Sequence, residues 1–141
     1  MAWTFECIIP GPPVGKGRPR ATLRGGHIKM YSPKGSAEWE RAAAMLARAC
    51  WKEAPLDEPC SIDVVAVMHR PKRLCRKRDS PSRIPCTSKP DLDNIIKSAM
   101  DALTMAGVLR DDSCVVRISA SKYYSSMREG PSVEITLSPL T

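Results

Sequence analysis

Residues 89–116, KPDLDNIIKSAMDALTMAGVLRDDSCVV, decide the fold. Leu92, Ile95, Ile96, Ala99, Ala102, Leu103 and Ala106 recur at the i, i+3, i+4, i+7 spacing that gathers apolar side chains on one helical face. Pro90 precedes the run and Gly107 is well placed to end it, so the spacing predicts a helix from Leu92 to about Ala106. The same stretch holds five of the fifteen acidic residues of a chain whose formal net charge is +7. Asp91 falls at the helix N-cap and Asp93 in its first turn, where free N–H groups and the positive dipole end favour negative charge. Asp93, Lys97 and Asp101 stand four apart, and a stripe of surface ion pairs worth about 0.2–0.5 kcal/mol each would account for them. Asp111 and Asp112, just before a strand, read equally well as turn residues.

The combination also has a chemical reading. A hard divalent cation such as Mg²⁺ is held by one or two carboxylates together with phosphate oxygens and water, and Asp-x-Asp entering a helix supplies two carboxylates close together. Such an ion activates water and polarises a phosphoryl group, while Lys97, one turn after Asp93, could orient the attacking water or offset charge that develops on the phosphate. A helix of this length spans about 22 Å. For Asp112 to reach Asp91, the six residues GVLRDD must double back over nearly their full extended reach of about 20 Å. If the chain turns away at Gly107 instead, Asp112 is structural and the cation relies on Asp91 and Asp93.

Outward from this stretch, WTFECII (3–9) reads as a first strand stopped by PGPP, and an Arg-Gly-Gly-His centre near residue 25 suggests a hairpin. KGSAEWERAAAMLARACW (34–51) reads as a helix with Trp39, Ala42, Ala43, Leu46 and Cys50 near one face and Ser32 or Ser36 as cap. CSIDVVAVMH (60–69), CVVRISASKYY (114–124) and SVEITLSPL (132–140) read as strands, the last two joined by a turn around Glu129-Gly130-Pro131. The order strand, hairpin, helix, strand, helix, strand, strand predicts an α/β (α+β) fold built on one small mixed sheet with two main helices.

At 141 residues the chain suits one domain, 1–141, and no apolar run approaches the roughly 20 residues of a membrane span. The N-terminus lacks the pattern of a signal peptide, so a cytoplasmic protein with no membrane partner is expected. Six cysteines without a C-x-x-C pair, beside two histidines, point to reduced and mostly buried thiols rather than zinc or disulfides. The charge is concentrated: residues 70–89 carry eight Lys or Arg against one Asp, leaving the other residues neutral in sum. With Pro71, Pro81 and Pro85 and no periodicity, that segment is expected to be a mobile loop that orders on an acidic partner.

The quoted stretch resembles the RusA family of Holliday junction resolvases, in which Asp-x-Asp-Asn opens a helix, a Lys follows one turn later, Asp-Ala-Leu lies further on, and Asp-Asp precedes a strand. IPGPPVGKGRPR (9–20) is similar to the family's Pro-rich strand exit and basic loop. The resemblance implies metal-site aspartates at Asp91, Asp93 and Asp112 and an essential lysine at Lys97. It further implies a Mg²⁺-dependent homodimer, with Mn²⁺ as a substitute, that nicks a four-way DNA junction symmetrically in recombination and repair. Two-fold symmetry of the junction suits a dimer. A phage or prophage source is compatible with the family.

With that resemblance, Lys16, Arg18 and Arg20 are expected to follow a phosphate track, with Gly15 and Gly17 allowing close backbone approach. Lys72, Arg73, Arg76, Lys77 and Arg78 are expected to bind DNA by counterion release, since few aromatics are interleaved to stack bases. Two rivals stand beside the resolvase reading: a nonenzymatic DNA-binding module whose acids are caps and ion pairs, and a nuclease of the same chemistry acting on flaps or other branched DNA.

Overall fold

The computed structural model describes residues 3–17, 20–24, 27–31 and 34–140, with side chains described for 3–17 and 35–140. Among the described residues, seven strands and two α-helices follow in the order β1 (Phe5–Pro10), β2 (Arg20–Arg24), β3 (His27–Tyr31), α1 (Lys34–Cys50), β4 (Cys60–Met68), β5 (Ile84–Pro85), α2 (Leu92–Met105), β6 (Val115–Tyr124) and β7 (Ser132–Pro139). Five strands make one mixed sheet in the order β1-β7-β4-β6-β5, and β2 with β3 forms the expected hairpin as a separate two-stranded sheet. Both helices and the mixed sheet match the α+β expectation. The last two long strands, however, are not neighbours: β4 lies between them, antiparallel to β7 and parallel to β6.

The core is one face of that sheet closed by helices. Alternation places Phe5, Cys7 and Ile9 of β1, Val133, Ile135 and Leu137 of β7, and Cys60, Ile62, Val64 and Ala66 of β4 on the buried side. Ile95, Ala99, Ala102 and Leu103 of α2 lie over it with Ala43, Ala44 and Ala47 of α1. Alanines on both helices permit a close approach of the two backbones, and each fully buried Ile, Leu or Val contributes about 1.5–3 kcal/mol. The buried face of α1 therefore differs from the expected one. Ala43 is shared and Trp39 packs partly buried against the core, but Ala42, Leu46 and Cys50 are exposed, and the fully inward stripe is Ser36, Glu40, Ala43, Ala44 and Ala47. Apolar periodicity missed it because a buried glutamate sits in the stripe.

Helix α2 ends where the sequence said it would. Gly107 adopts φ +77, Val108 N–H donates to Leu103 O at 3.0 Å and Gly107 N–H to Thr104 O at 3.1 Å, a left-handed cap that satisfies the last carbonyls. Leu103 and Val108 are both fully buried beneath it. Arg48 of α1 adds a hydrogen bond to Ala106 O at 3.2 Å, placing positive charge at the negative helix end.

All six cysteines are free, with Cys7, Cys60 and Cys86 buried but Cys50 and Cys75 exposed, so the expectation of mostly buried thiols holds for half of them. Burial, with the neighbouring Cys50, pushes the Cys7 thiol up to about 12. No described helix is long and apolar enough to cross a membrane.

Candidate metal centre and nucleic-acid interface

The N-terminal turn of α2 sits where the parallel strands β4 and β6 end. Lys122 Nζ donates to Ser88 O at 2.6 Å and Pro90 O at 2.9 Å, and the Ser88 and Tyr124 hydroxyls are 2.7 Å apart, which ties the approach to α2 to the C-terminal end of β6. On the other side, Lys16 N–H donates to Asn94 O at 2.9 Å. Gly15 is held against α2 so closely that a Cβ there would lie 2.9 Å from Pro90 Cβ and 3.1 Å from Asn94 Cβ. The close approach that the glycine permits is thus to α2, not to a phosphate. Between these clasps opens a cleft of about 510 Å³ lined by Pro13, Val14, Gly15, Lys16, Lys89, Pro90, Asp91 and Asn94.

Asp91 has the extended backbone of an N-cap, φ −68 and ψ 146, yet its side chain makes no capping hydrogen bond and instead meets Lys89 Nζ at 3.2 Å. Asp93 and Lys97 are exposed, and among the described residues neither has an ion pair. The bland explanation of this stripe therefore loses its two supports, the cap and the Asp93–Lys97 pair. Asp101 is engaged elsewhere, with Lys16 Nζ at 3.2 Å.

Lys16 itself is committed inside the protein. Its Nζ is 2.6 Å from Glu40 Oε1, and that carboxylate side chain is only 7% exposed. The hydrogen bond to Glu40, then that to Asp101, holds the Lys16 ammonium above its ordinary value against the opposing effect of burial. Expected as a phosphate contact, Lys16 is the cation that makes a buried Glu40 tolerable. Glu40 was not singled out from the sequence; the available signal was its place in the small-residue stripe Ser36, Glu40, Ala43, Ala44, Ala47. Ser36, expected as a cap, is buried within α1 and its Oγ accepts from Gly17 N–H at 3.2 Å. Arg18 and Ser32 lie outside the described residues, as does the side chain of Arg20.

The basic segment lies at the same end of the sheet. Arg70 is buried and donates to Leu74 O at 2.8 Å, Ser82 O at 3.0 Å, Ser80 O at 2.6 Å and Ser125 O at 3.4 Å. Those carbonyls are the loop's own, apart from Ser125 just beyond β6, so one guanidinium organises the whole segment. Arg83 pairs with Glu129 and with Glu134, each at 2.8 Å. Arg83 holds the Glu129 carboxyl down at about 2. Absence of periodicity in the sequence concealed this scaffold, because it is made of long-range contacts from single arginines. Lys72, Arg73, Arg76, Lys77 and Arg78 remain exposed. Asp79 partly offsets Arg76, accepting from its backbone N–H at 2.8 Å.

Asp112 is placed elsewhere. After Gly107 the chain does not return along α2: Leu109 bridges to Leu56, Arg110 N–H donates to Leu56 O at 2.9 Å, and a short 3₁₀ turn, Asp112–Cys114, leads into β6. The first residue of β6, Val115, pairs with Cys60 at the start of β4. Lys122, seven residues on at about 3.3 Å each, is some 23 Å away and marks the end where Asp91 sits. Among the described residues no three His, Cys, Asp or Glu side chains are grouped to hold a metal ion. One chain brings together Asp91, Asp93 and the basic loop, and leaves Asp112 at the opposite end of the sheet. Asp111 serves locally, accepting from Ser113 N–H at 3.2 Å, and hydrogen bonding from the Ser113 side chain, then from that N–H, holds its carboxyl below the usual range. The Asp112 carboxylate is exposed and has no hydrogen bond or ion pair among the described residues, while the Asp112 carbonyl accepts from Val115 N–H.

Comparison with known proteins bears on this arrangement. The model of the family Endodeoxyribonuclease RusA matches residues 10–138, nearly the whole fold including α2. The chain belongs to the RusA endodeoxyribonuclease family. It is similar to the uncharacterized protein YqaN of Bacillus subtilis (strain 168), with 33% identity over 94% of this chain and 96% of that one. It is also similar to the crossover junction endodeoxyribonuclease RusA of Aquifex aeolicus (strain VF5), with 28% identity over 93% of this chain and 90% of the relative. The matched region of the RusA family holds the whole of α2, so the exposed acids of its first turn and the basic segment before it are parts of one family domain.

Proposed function

We propose that this protein is a divalent-metal-dependent endonuclease that acts as a homodimer and resolves four-way DNA junctions by paired nicks. The observation that carries the reading is that Asp91, Asp93 and Lys97 stand exposed on the first turns of α2, at the same end of the sheet as the exposed cations of residues 72–78. The carboxyl ends of parallel strands are where α/β sheets place their ligands, and β4 and β6 are the parallel pair. Two carboxylates on one turn suit Mg²⁺, or Mn²⁺ in its place, whose other positions go to water and phosphate. A bound cation supplies Lewis-acid activation of the scissile phosphate. The chain's own part is to hold that cation through Asp91 and Asp93, to place Lys97 one turn away where charge develops, and to hold the DNA backbone with the basic loop.

The name of the Aquifex relative supports the junction as substrate, as does the two-fold symmetry shared by a junction and a dimer. The test compares four-way, three-way, flap and linear DNA with Mg²⁺ and with EDTA. Paired cuts in the four-way junction alone, lost in EDTA and in Asp93→Asn while binding persists, are expected. Undiminished cleavage by Asp93→Asn removes the catalytic assignment, and equal cutting of flaps moves the substrate to branched DNA in general.

A further inference from the structure

The basic loop stands in a shape that its own charges oppose. Lys72, Arg73, Arg76, Lys77 and Arg78 are all exposed, and a run of like charges repels itself and extends. The segment is nevertheless held by internal hydrogen bonds. Leu74 N–H donates to Pro71 O and Cys75 N–H to Lys72 O, each at 3.0 Å, and Asp79 N–H donates to Arg76 O at 2.9 Å. The Asp79 carboxylate accepts in return from Arg76 N–H at 2.8 Å, so the turn from Arg76 to Asp79 is closed twice. The Arg70 guanidinium, 5% exposed, ties the two limbs together, reaching Leu74 O on the outgoing limb and Ser80 O and Ser82 O on the returning one. Among the described residues no carboxylate pairs with it. A buried cation held by carbonyl dipoles alone keeps its charge beside the exposed ones, an arrangement that weakens the free protein and is relieved when a polyanion arrives.

The returning limb is fixed against the sheet as well. Met127 N–H donates to Pro81 O at 3.0 Å, and Arg83 pairs with Glu129 and Glu134, which latches the limb to β7 and to the turn before it. β5 follows directly, pairing with Tyr123 and Tyr124, and leads the chain to Asp91. We infer that Arg70 is a positioning residue for DNA: it holds the loop in one shape before contact, so that the cations of residues 72–78 meet the phosphate backbone as a fixed array, set at a constant distance from the first turn of α2. The inference rests on the nuclease reading of that turn and names what aims the substrate at it. A flexible cationic segment loses its freedom on binding, whereas a preformed one does not, and the difference is read as affinity. Composition predicts a mobile loop because it registers the lack of apolar burial, while the ordering here comes from one planar guanidinium fork.

The test begins with the wild-type protein free of DNA. Hydrogen exchange is expected to slow the Leu74, Cys75, Arg76 and Asp79 amides about tenfold or more below the free-chain rate. It continues with Arg70→Met and Arg70→Lys, the second of which keeps the charge but not the fork that reaches both limbs. In both folded variants trypsin is expected to cut first after the cations of residues 72–78, where the wild type resists. The KM for a four-way junction should rise about tenfold or more while kcat stays within about twofold. The salt slope of binding should not change, because the exposed cations all remain. An Arg70→Met protein that loses thermal stability but keeps its KM shows a merely structural arginine and overturns the inference. So does an Arg70→Lys protein with wild-type KM and trypsin resistance, which would make the charge sufficient. If neither variant folds, exchange in the wild type decides alone. Loop amides that exchange at the free-chain rate in a protein that cuts junctions overturn the inference and leave the nuclease reading standing; a wild type that binds no DNA overturns both.

Discussion

Replacing Lys16 by methionine separates a structural cation from a DNA contact. The perturbation leaves the Glu40 carboxylate, 7% exposed, without its partner at 2.6 Å, and removes the 3.2 Å contact to Asp101. Breaking a buried ion pair from one side costs about 3–5 kcal/mol. The Lys16 side chain retains 23% exposure, so water screens part of that, and the expected loss is about 2–3 kcal/mol. For a chain of this size such a loss lowers Tm by about 8 °C. Urea unfolding followed by Trp fluorescence measures it, and Lys16→Met combined with Glu40→Gln is expected to recover all but about 1 kcal/mol, because no uncompensated charge remains. The pH dependence has a definite sign. Lys16 titrates above its ordinary value when folded, so its contribution is complete below that value and is lost as pH rises through the folded one. Junction affinity and its salt dependence are expected to be unchanged in the folded variant. A stability loss under about 0.5 kcal/mol, together with a salt slope reduced by about one, would refute the assignment and return Lys16 to the phosphate track.

Other outcomes test the neighbouring parts. Gly15→Ala forces its Cβ against Pro90 and Asn94 at 2.9 and 3.1 Å, so a loss of about 1–3 kcal/mol and a displaced α2 N-terminus, with cleavage falling more than binding, are expected in denaturation and single-turnover assays. Neutralising Lys72, Arg73, Arg76, Lys77 and Arg78 together should flatten the salt slope of binding by up to about 4.5 for every DNA shape, as five phosphate contacts are worth about 0.9 each; an unchanged slope gives the loop another partner. Glu129 lies at about 2 when folded, beside Arg83, so its contribution is present above its ordinary value near 4.5 and is lost as pH falls through the folded one. Discounted for its 31% exposure, that contribution is about 1 kcal/mol, and Glu129→Gln should show a correspondingly shallower fall in stability between pH 5 and pH 2.

The stretch 89–116 reported its own helix because everything that makes α2 is local: apolar spacing, an acidic first turn, and a glycine at the residue that adopts φ +77. The hairpin and the long strands were legible for the same reason, as were the concentration of positive charge and the family resemblance of Asp91, Asp93, Lys97 and Asp112. The two-residue strand β5 was not legible, since nothing in Ile84–Pro85 marks it apart from its pairing with Tyr123 and Tyr124.

Tertiary structure alone decided how charges were spent. Lys16, Arg70 and Arg83 look like the other cations in sequence, yet one neutralises a buried glutamate, one organises a loop through four carbonyls, and one joins two glutamates far along the chain. Sequence records that a charge exists, but its work depends on which partner the fold brings within about 3 Å, and such partners lie at separations no local pattern encodes. The same limit governs the acids. Local signals placed Asp91 and Asp93 on one helical turn, whereas the distance to Asp112 depended on whether the chain reversed at Gly107. It turned instead to join Leu56, because burying Val108 and Leu109 beside β4 satisfies both side chains and backbone. That choice of core packing put a sheet's length between carboxylates that stand only 19 residues apart in sequence.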